Sequence, residues 1–235
     1  MKQLKDVLMI AGVVIGLMMP GQMVFAHSED SELISRDSNA YGNTYGEWSA
    51  RWIQWLLSIP TATNPAVDTT GANCGQGQAG PVWFLAGTFG GPAKRACTVP
   101  ASKALFFALT DGFFGAGAGD CVPTGTVPCN LAALREAASA STDSVILAVS
   151  VDGKSLSDLT DQRVQPPVMT VTYPDGNLVG VQSGTYSPNV ADGYWVMLSP
   201  LSAGRHTISF SAQITGGVFN GTSIGPVTYK LTILP

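Results

Sequence analysis

Hydrophobic positions follow one pattern before Pro60 and another after it. Between residues 45 and 59 the large apolar side chains recur every three or four positions, so that at 100° per residue they share one side of a helix. Thr44 and Glu47 have the spacing of a capping box, and Pro60 disfavours helical geometry in the residue before it. The pattern therefore predicts an N-terminal amphipathic helix from Thr44 to about Ser58.

The apolar side of this helix carries three tryptophans, Trp48, Trp52 and Trp55. Large aromatic side chains at helical spacing usually bury their area, which predicts that the helix docks on a sheet as part of the core. The alternative for the same side is an aromatic platform that stacks on sugar rings.

After Pro60 the chain changes to short apolar or alternating runs separated by Gly, Pro, Asn and Asp, which is typical of a mainly β fold. We predict a single antiparallel β-sandwich, jelly-roll-like, with about eight strands. The predicted strands cover residues 82–86, 95–99, 103–109, 144–151, 167–173, 193–198, 205–214 and 227–234. In the run 205–214, His206 and every second residue after it share one face.

Local signals inside this region predict further features. Residues 145–149 are apolar throughout, which predicts a central strand covered on both faces. Asp-Gly pairs begin at Asp111, Asp152, Asp175 and Asp192, and each predicts a tight turn with positive φ. The glycine-rich run 113–119 predicts a surface loop, and the alanine-rich run 130–141 predicts one short helix inserted between strands.

The first 26 residues have the order of a secretory signal peptide. Lys2 and Lys5 precede an apolar run over residues 7–19, and a small-residue ending closes at Ala26. The apolar run is shorter than the roughly 20 residues of a membrane-spanning helix. We therefore expect a signal peptide over 1–26, a flexible polar leader over 27–40 and a single β-sandwich domain over 41–235. The expected location is the periplasm or the extracellular space, with no membrane span after cleavage.

Composition and charge narrow the range of partners. Charged residues make up 12% of the 235-residue chain, the formal net charge is −4, and no run of Lys or Arg occurs. These features argue against binding to nucleic acid or to anionic lipid through a basic surface. No motif in the sequence predicts a cofactor.

All four cysteines, Cys74, Cys97, Cys121 and Cys129, follow the predicted cleavage site. An even number of cysteines in an oxidising compartment predicts two disulfides, for which three connectivities are possible. We predict the sequential pairs Cys74–Cys97 and Cys121–Cys129 because they close the shortest loops. A zinc site is disfavoured because no C-x-x-C pair and no histidine cluster accompanies these cysteines.

Several segments resemble a group of uncharacterised secreted bacterial proteins. The segments are Y-G-x-x-Y-x-E-W-S-x-x-W-x-Q-W at residues 41–55, G-P-V-W-F-L-A-G at 80–87, C-T-V-P at 97–100, D-G-Y-W at 192–195 and G-R-H-T-I at 204–208. The resemblance implies export, bacterial origin and one compact domain. It implies no known activity and transfers no catalytic or binding residue.

The remaining chemistry supports two classes of function. The first is a secreted non-catalytic protein with a structural role or a binding role, for a glycan or another surface protein, in which Trp83, Tyr194 and Trp195 are the candidate stacking residues. The alternative is a secreted carbohydrate-active enzyme. It would be a hydrolase whose paired carboxylates are drawn from Glu47, Asp111, Asp120 and Glu136. Otherwise it would be a copper monooxygenase in which the N-terminal amine and imidazole of His27 bind copper together with His206. His206, on the apolar face of its strand, equally fits a hydrogen-bonded core residue.

Overall fold

Two five-stranded sheets and two α-helices make up the computed structural model over the residues that it describes, 33–121 and 129–235. The predicted signal peptide and residues 27–32 of the predicted leader, including His27, lie outside those residues. Within them the fold is mainly β, and the two sheets are compatible with a sandwich. Neither of the described α-helices has the length and apolar character that crossing a membrane requires.

The chain crosses repeatedly from one sheet to the other. In chain order the elements are α1 Tyr45–Leu57, β1 Val82–Leu85, β2 Gly91–Pro100, β3 Ala104–Gly115, α2 Leu131–Ala140, β4 Val145–Val151, β5 Lys154–Ser155, β6 Arg163–Val164, β7 Met169–Tyr173, β8 Gly184–Leu198, β9 Gly204–Ile214 and β10 Ser223–Leu234. The first sheet has the order β1-β3-β8-β6, with β7 also paired to β8. The second sheet has the order β2-β10-β9-β4-β5. The inserted helix predicted from the alanine-rich run is α2.

Both sheets are mixed, which corrects the prediction of an antiparallel sandwich. β1 runs parallel to β3, and β2 runs parallel to β10, whereas the other strand pairs are antiparallel. After β1 the chain crosses to the second sheet as β2 and returns as β3, so that β1 and β3 point the same way. Alternation along one strand indicates which side chains it buries but not which strand lies beside it.

Apolar side chains form large clusters on both faces of the first sheet. Between the two sheets, the ring of Phe107 stacks on Phe210 with the ring centroids 4.7 Å apart. On the other face, α1 covers the sheet, and Tyr45 meets Phe106 edge to face with centroids 5.4 Å apart. The first sheet is therefore enclosed between the second sheet and α1.

A capping box holds the N-terminus of α1. The Thr44 hydroxyl oxygen accepts a hydrogen bond from the Glu47 N–H, and the Glu47 carboxylate accepts one from the Thr44 N–H. Trp48, Trp52 and Trp55 expose only 6%, 4% and 7% of their surface. This burial confirms the core interpretation of the three tryptophans and removes them as an exposed sugar platform.

The disulfides are Cys74–Cys97 and Cys121–Cys129, so the predicted sequential pairing is confirmed. The first joins the segment between α1 and β1 to β2, and the second closes the segment between β3 and α2. No free cysteine is present among the residues described.

Two local predictions need correction: the environment of the strand at 145–149 and the extent of the glycine-rich loop. The run 145–149 forms β4, which has only the two-residue β5 beyond it and leaves Ile146 61% exposed. The glycine-rich run 113–119 is a loop only after Gly115, because β3 continues as far as that residue. A Cβ atom on Gly115 or Gly117 would lie within 2.8 Å of Asn189, so these glycines permit close packing.

Two of the four Asp-Gly pairs form the predicted turns, and the other two lie inside strands. Asp111 and Gly112 belong to β3, while Asp192 and Gly193 belong to β8. The two pairs face each other, with Asp111 opposite Gly193 and Gly112 opposite Asp192. A Cβ atom on Gly193 would lie 2.7 Å from Asp111 Cα, so this glycine is required for close approach and not for a turn.

Candidate functional site

An apolar pocket of about 530 Å³ lies where β1 separates from β3. Its walls are the C-terminal half of α1, the residues after β1, the middle of β3 and the turn between β9 and β10. Trp52 and Leu56 line it from α1, and Phe113 lines it from β3. Phe89 and Phe219 also belong to the lining and expose 68% and 42% of their surface. This volume and composition are those of a small-molecule site.

The pocket forms because β1 leaves the sheet after Leu85, whose partner on β3 is Phe107. The Trp52 indole N–H donates to the Leu85 carbonyl over 3.0 Å, and the Tyr229 hydroxyl donates to the Ala86 carbonyl over 2.9 Å. These bonds direct the chain away from β3. Among the described residues no other strand pairs with that side of β3 beyond Phe107, and the pocket occupies the space.

Arg95, on β2, holds one wall of the pocket from behind. It exposes only 2% of its surface. Its guanidinium donates to the carbonyl of Ala66 over 3.2 Å, to that of Gly87 over 3.0 Å, to that of Ala86 and to the Tyr229 hydroxyl over 2.8 Å. Ala66 and Gly87 line the pocket. One buried side chain therefore fixes two loops that are distant in the sequence.

A β-bulge in β3 determines which side chain faces the helix. The register against β8 shifts between Ala108 and Thr110, which leaves Leu109 as the extra residue. Because side chains alternate along a strand, this shift places Asp111 on the α1 side of the sheet. Without the bulge the same carboxylate would lie between the two sheets.

Asp111 is an acidic residue in this apolar lining. Its side chain is partly buried and makes no hydrogen bond or ion pair with another described residue. Burial, with no neighbouring charge to offset it, raises the pKa of Asp111 from 3.8 to about 6. The hydroxyl of Thr110 in the same lining is buried and also has no partner among the described residues. Asp120, the other ionisable group of the lining, accepts a hydrogen bond from the Gly115 N–H over 2.9 Å.

Asp192, on the facing strand, shows how the same fold compensates a buried carboxylate. It exposes 2% of its surface and accepts hydrogen bonds from Arg163 over 2.6 Å, Gln165 over 2.8 Å and Thr142 over 3.1 Å. Asp111 has none of these partners. Within 33–121 and 129–235, its carboxylate is therefore not part of a structural ion pair.

The aromatic residues predicted to stack on sugars lie elsewhere. Trp195 is fully buried on the α1 side of the first sheet, and Tyr194 is 5% exposed on the face between the sheets. Trp83 is partly buried against the second of these clusters. The three rings lie on different faces and form no exposed platform, which corrects their assignment as a binding surface.

His206 lies at one end of β9 beside Asp152 and Ser202. Its Nδ1 is 2.7 Å from an Asp152 carboxylate oxygen, while Nε2 is 3.0 Å from the Ser202 carbonyl oxygen and 3.3 Å from the Ser202 hydroxyl. A catalytic triad needs Nε2 to accept the hydroxyl proton, but here the carbonyl is nearer. The pocket does not include these residues, and Asp152 also accepts a hydrogen bond from the Thr207 N–H over 2.7 Å. The cluster stabilises the turn between β4 and β5.

Of the two candidate copper ligands, only His206 belongs to the described residues. His27 lies outside the described residues, and His206 is engaged by Asp152. Within 33–121 and 129–235, no group of three or more His, Cys, Asp or Glu side chains is arranged to hold a metal ion.

Two sequence features could have revealed the pocket. Arg95 shares the alternating phase of Cys97 and Val99, both of which are buried, and this phase indicates a buried arginine. Asp111 interrupts an apolar run that continues on both sides of it. The Asp-Gly pair instead predicted a turn at Asp111, which would separate this carboxylate from the apolar strand around it.

Comparisons with known proteins leave the function open. No protein-family model matches the chain, and no curated protein matches its sequence. Among solved structures, the chain is similar to a cysteine protease inhibitor from Entamoeba histolytica, with 10% identity and a TM-score of 0.22 over 65% of this chain and 96% of the inhibitor. A likeness at that level carries no argument about fold or function.

Proposed function

We propose that this chain is an exported, non-catalytic binding protein whose ligand site is the pocket between α1, β3 and the β9–β10 turn. The observation that carries the proposal is an apolar cavity of about 530 Å³ with the Asp111 carboxylate in its wall, which has no partner among the described residues. Residues 41–235 act as one jelly-roll-like sandwich domain with α1 over its outer face. Export is supported by the signal-peptide pattern, and the two disulfides suit an oxidising compartment.

Binding fits the lining better than catalysis. An enzyme site needs converging groups, such as a nucleophile beside a base or a pair of carboxylates set at a fixed separation. The described lining contains no His, Cys, Lys or Arg, and its second carboxylate, Asp120, already accepts a backbone hydrogen bond. What remains is a site that excludes water and provides one polar anchor.

The exposed apolar residues of the lining favour a small apolar ligand over a glycan. Phe89, Val179 and Phe219 expose 68%, 42% and 42% of their surface. Clustered exposed apolar side chains usually mark a surface that a ligand or partner covers. A sugar would need many more hydrogen-bonding groups than this wall supplies.

Binding of a neutral apolar dye, Nile red, tests the proposal with two matched glycine variants. Gly87 lines the pocket at an ordinary φ, and a Cβ there meets nothing nearer than the Ala108 carbonyl at 4.0 Å. Gly75 is exposed, also at an ordinary φ, with nothing within 4 Å of its Cβ position. Gly87→Leu therefore fills the pocket, whereas Gly75→Leu adds the same side chain elsewhere.

We expect the native protein and Gly75→Leu to enhance dye fluorescence at one site per chain, and Gly87→Leu to bind at least about tenfold more weakly. Circular dichroism would verify that both variants are folded. Equal dye binding by the two variants, or no saturable binding by the native protein, would overturn the proposal.

A further inference from the structure

The charges around the pocket indicate what kind of ligand it accepts. The two ionisable residues among its described lining, Asp111 and Asp120, are both acidic. The lining residues of α1 are apolar, and those of the β9–β10 turn and of the segment after β1 are uncharged. An anionic headgroup would meet a carboxylate and no opposite charge here. A cationic headgroup would meet the Asp111 carboxylate, with which no described side chain pairs.

The pocket is built for a small molecule and not for an extended chain. The edge of β3 at the pocket belongs to residues that are almost fully buried, because Ala108, Leu109 and Thr110 expose only 4%, 1% and 2% of their surface. A peptide strand cannot reach that edge to pair with it. The volume of about 530 Å³ lies well inside the range of roughly 300 to 1,000 Å³ found for small-molecule sites.

An ionised carboxylate in an apolar wall is costly unless it is paired. Asp111 lies in such a wall and makes no hydrogen bond or ion pair with another described residue. A ligand that donates hydrogen bonds and carries positive charge would satisfy the carboxylate with a charge-assisted bond, which is stronger than a neutral one.

We propose that the pocket binds an organic ammonium ion, with its apolar body against Trp52, Leu56 and Phe113 and its N–H groups donating to the Asp111 carboxylate. This assignment rests on the proposed binding function and adds the charge class of the ligand. The aromatic rings of Trp52 and Phe113 in the same wall are also favourable neighbours for a cation.

Three probes that share one aromatic body test the charge class. They are 1-naphthylmethylamine, 1-naphthylmethanol and 1-naphthoate, each titrated at pH 7.5 by displacement of Nile red. We expect the amine to bind at least about tenfold more tightly than the alcohol, and the carboxylate to bind most weakly. Equal or tighter binding of the carboxylate would overturn the assignment.

Two isosteric variants test which carboxylate of the lining binds the ammonium group. Asp111→Asn should lower the affinity for the amine at least about tenfold and leave that for the alcohol within about threefold. Asp120→Asn removes the same charge from the same lining, but from a side chain that already has a backbone partner, and should change the affinity for the amine less than about threefold. Unchanged amine binding in Asp111→Asn, or an equal loss in Asp120→Asn, would contradict the role of Asp111.

The pH dependence of the affinity for the amine is an independent test. Because the pKa of Asp111 is raised to about 6, its carboxylate gains a proton as the pH falls from 7 to 5, and the affinity for the amine should fall while that for the alcohol stays constant. A flat pH profile for the amine would count against the proposal. If Nile red and the alcohol bind but the amine is not preferred, only the ammonium assignment fails. If none of the four probes binds, the binding function itself fails.

Discussion

Asp111→Asn should make the protein more stable at neutral pH, although it removes the proposed anchor. The folded state raises the pKa of Asp111 from 3.8 to about 6, so the folded chain holds a proton that the unfolded chain has released between these values. Stability rises with pH only where the unfolded state binds more protons, and here the folded state binds more. This group therefore lowers the free energy of unfolding as the pH rises from 4 to 6, after which its contribution is constant.

The magnitude follows from the size of the shift. A rise from 3.8 to about 6 corresponds to about 3 kcal/mol at a pH above both values. The Asp111 side chain is only partly buried and opens onto the pocket, so about 1 to 3 kcal/mol is the expected gain from removing its charge at pH 8. At pH 4 the aspartic acid is largely neutral in the folded state, and this gain should vanish.

Urea unfolding of the ligand-free protein and Asp111→Asn at pH 4 and pH 8 measures the effect. The decisive quantity is how the difference in free energy of unfolding between the two proteins changes from pH 4 to pH 8. Any cost of the asparagine amide that does not depend on pH cancels from this change. Asp161→Asn, at an exposed position, is the matched control for loss of one carboxylate. A difference that is the same at both pH values, or that grows toward pH 4, would refute the reasoning.

Three further changes test the parts of the fold that build the pocket. Arg95→Met should cost about 3 kcal/mol in urea unfolding because the carbonyls of Ala66, Asp68 and Gly87 lose their donor, whereas Lys94→Met at the exposed neighbouring position should cost less than about 0.5 kcal/mol; similar costs would contradict the role of Arg95. Thr44→Ala should cost about 1 kcal/mol by loss of the capping bond, and Thr44→Ser, which keeps the hydroxyl, should restore most of it. Gly71→Ala should cost at least about 2 kcal/mol in thermal unfolding, because its Cβ would lie 2.3 Å from the Ala96 carbonyl oxygen at a φ of +91°; an unchanged midpoint would show that this contact relaxes freely.

Much of the architecture could be predicted from short-range patterns in the sequence. The capping residues Thr44 and Glu47 lie within three positions of each other, and the two disulfides close short loops, so neither depends on how distant segments meet. Alternation over β9 correctly indicated that Ile208 and the residues in phase with it are buried. Each of these features is determined by interactions between residues close in the chain.

Features that depend on distant segments could not be obtained in the same way. The parallel pairing of β1 with β3 results from a crossing between sheets. Such a crossing does not change the alternation of apolar and polar residues along either strand. The pocket depends on Arg95 reaching loops near Ala66 and Gly87, and no pattern within β2 indicates those partners. Asp111 was misplaced because an Asp-Gly pair predicts a turn unless the facing strand is known.

The contrast between Asp111 and Asp192 is the physical reason to look for function at the pocket. Both carboxylates belong to Asp-Gly pairs in the same two strands, and the chain surrounds Asp192 with donors that include Arg163. A fold able to compensate one acid in this way gains nothing in stability by leaving the other uncompensated, and violations of this kind concentrate at functional sites. Arg95 meanwhile holds the wall loops from the side away from the cavity, so the pocket is formed before any ligand enters. The partner that the Asp111 carboxylate lacks must then come from outside the described chain, and a preformed cavity is where it would arrive.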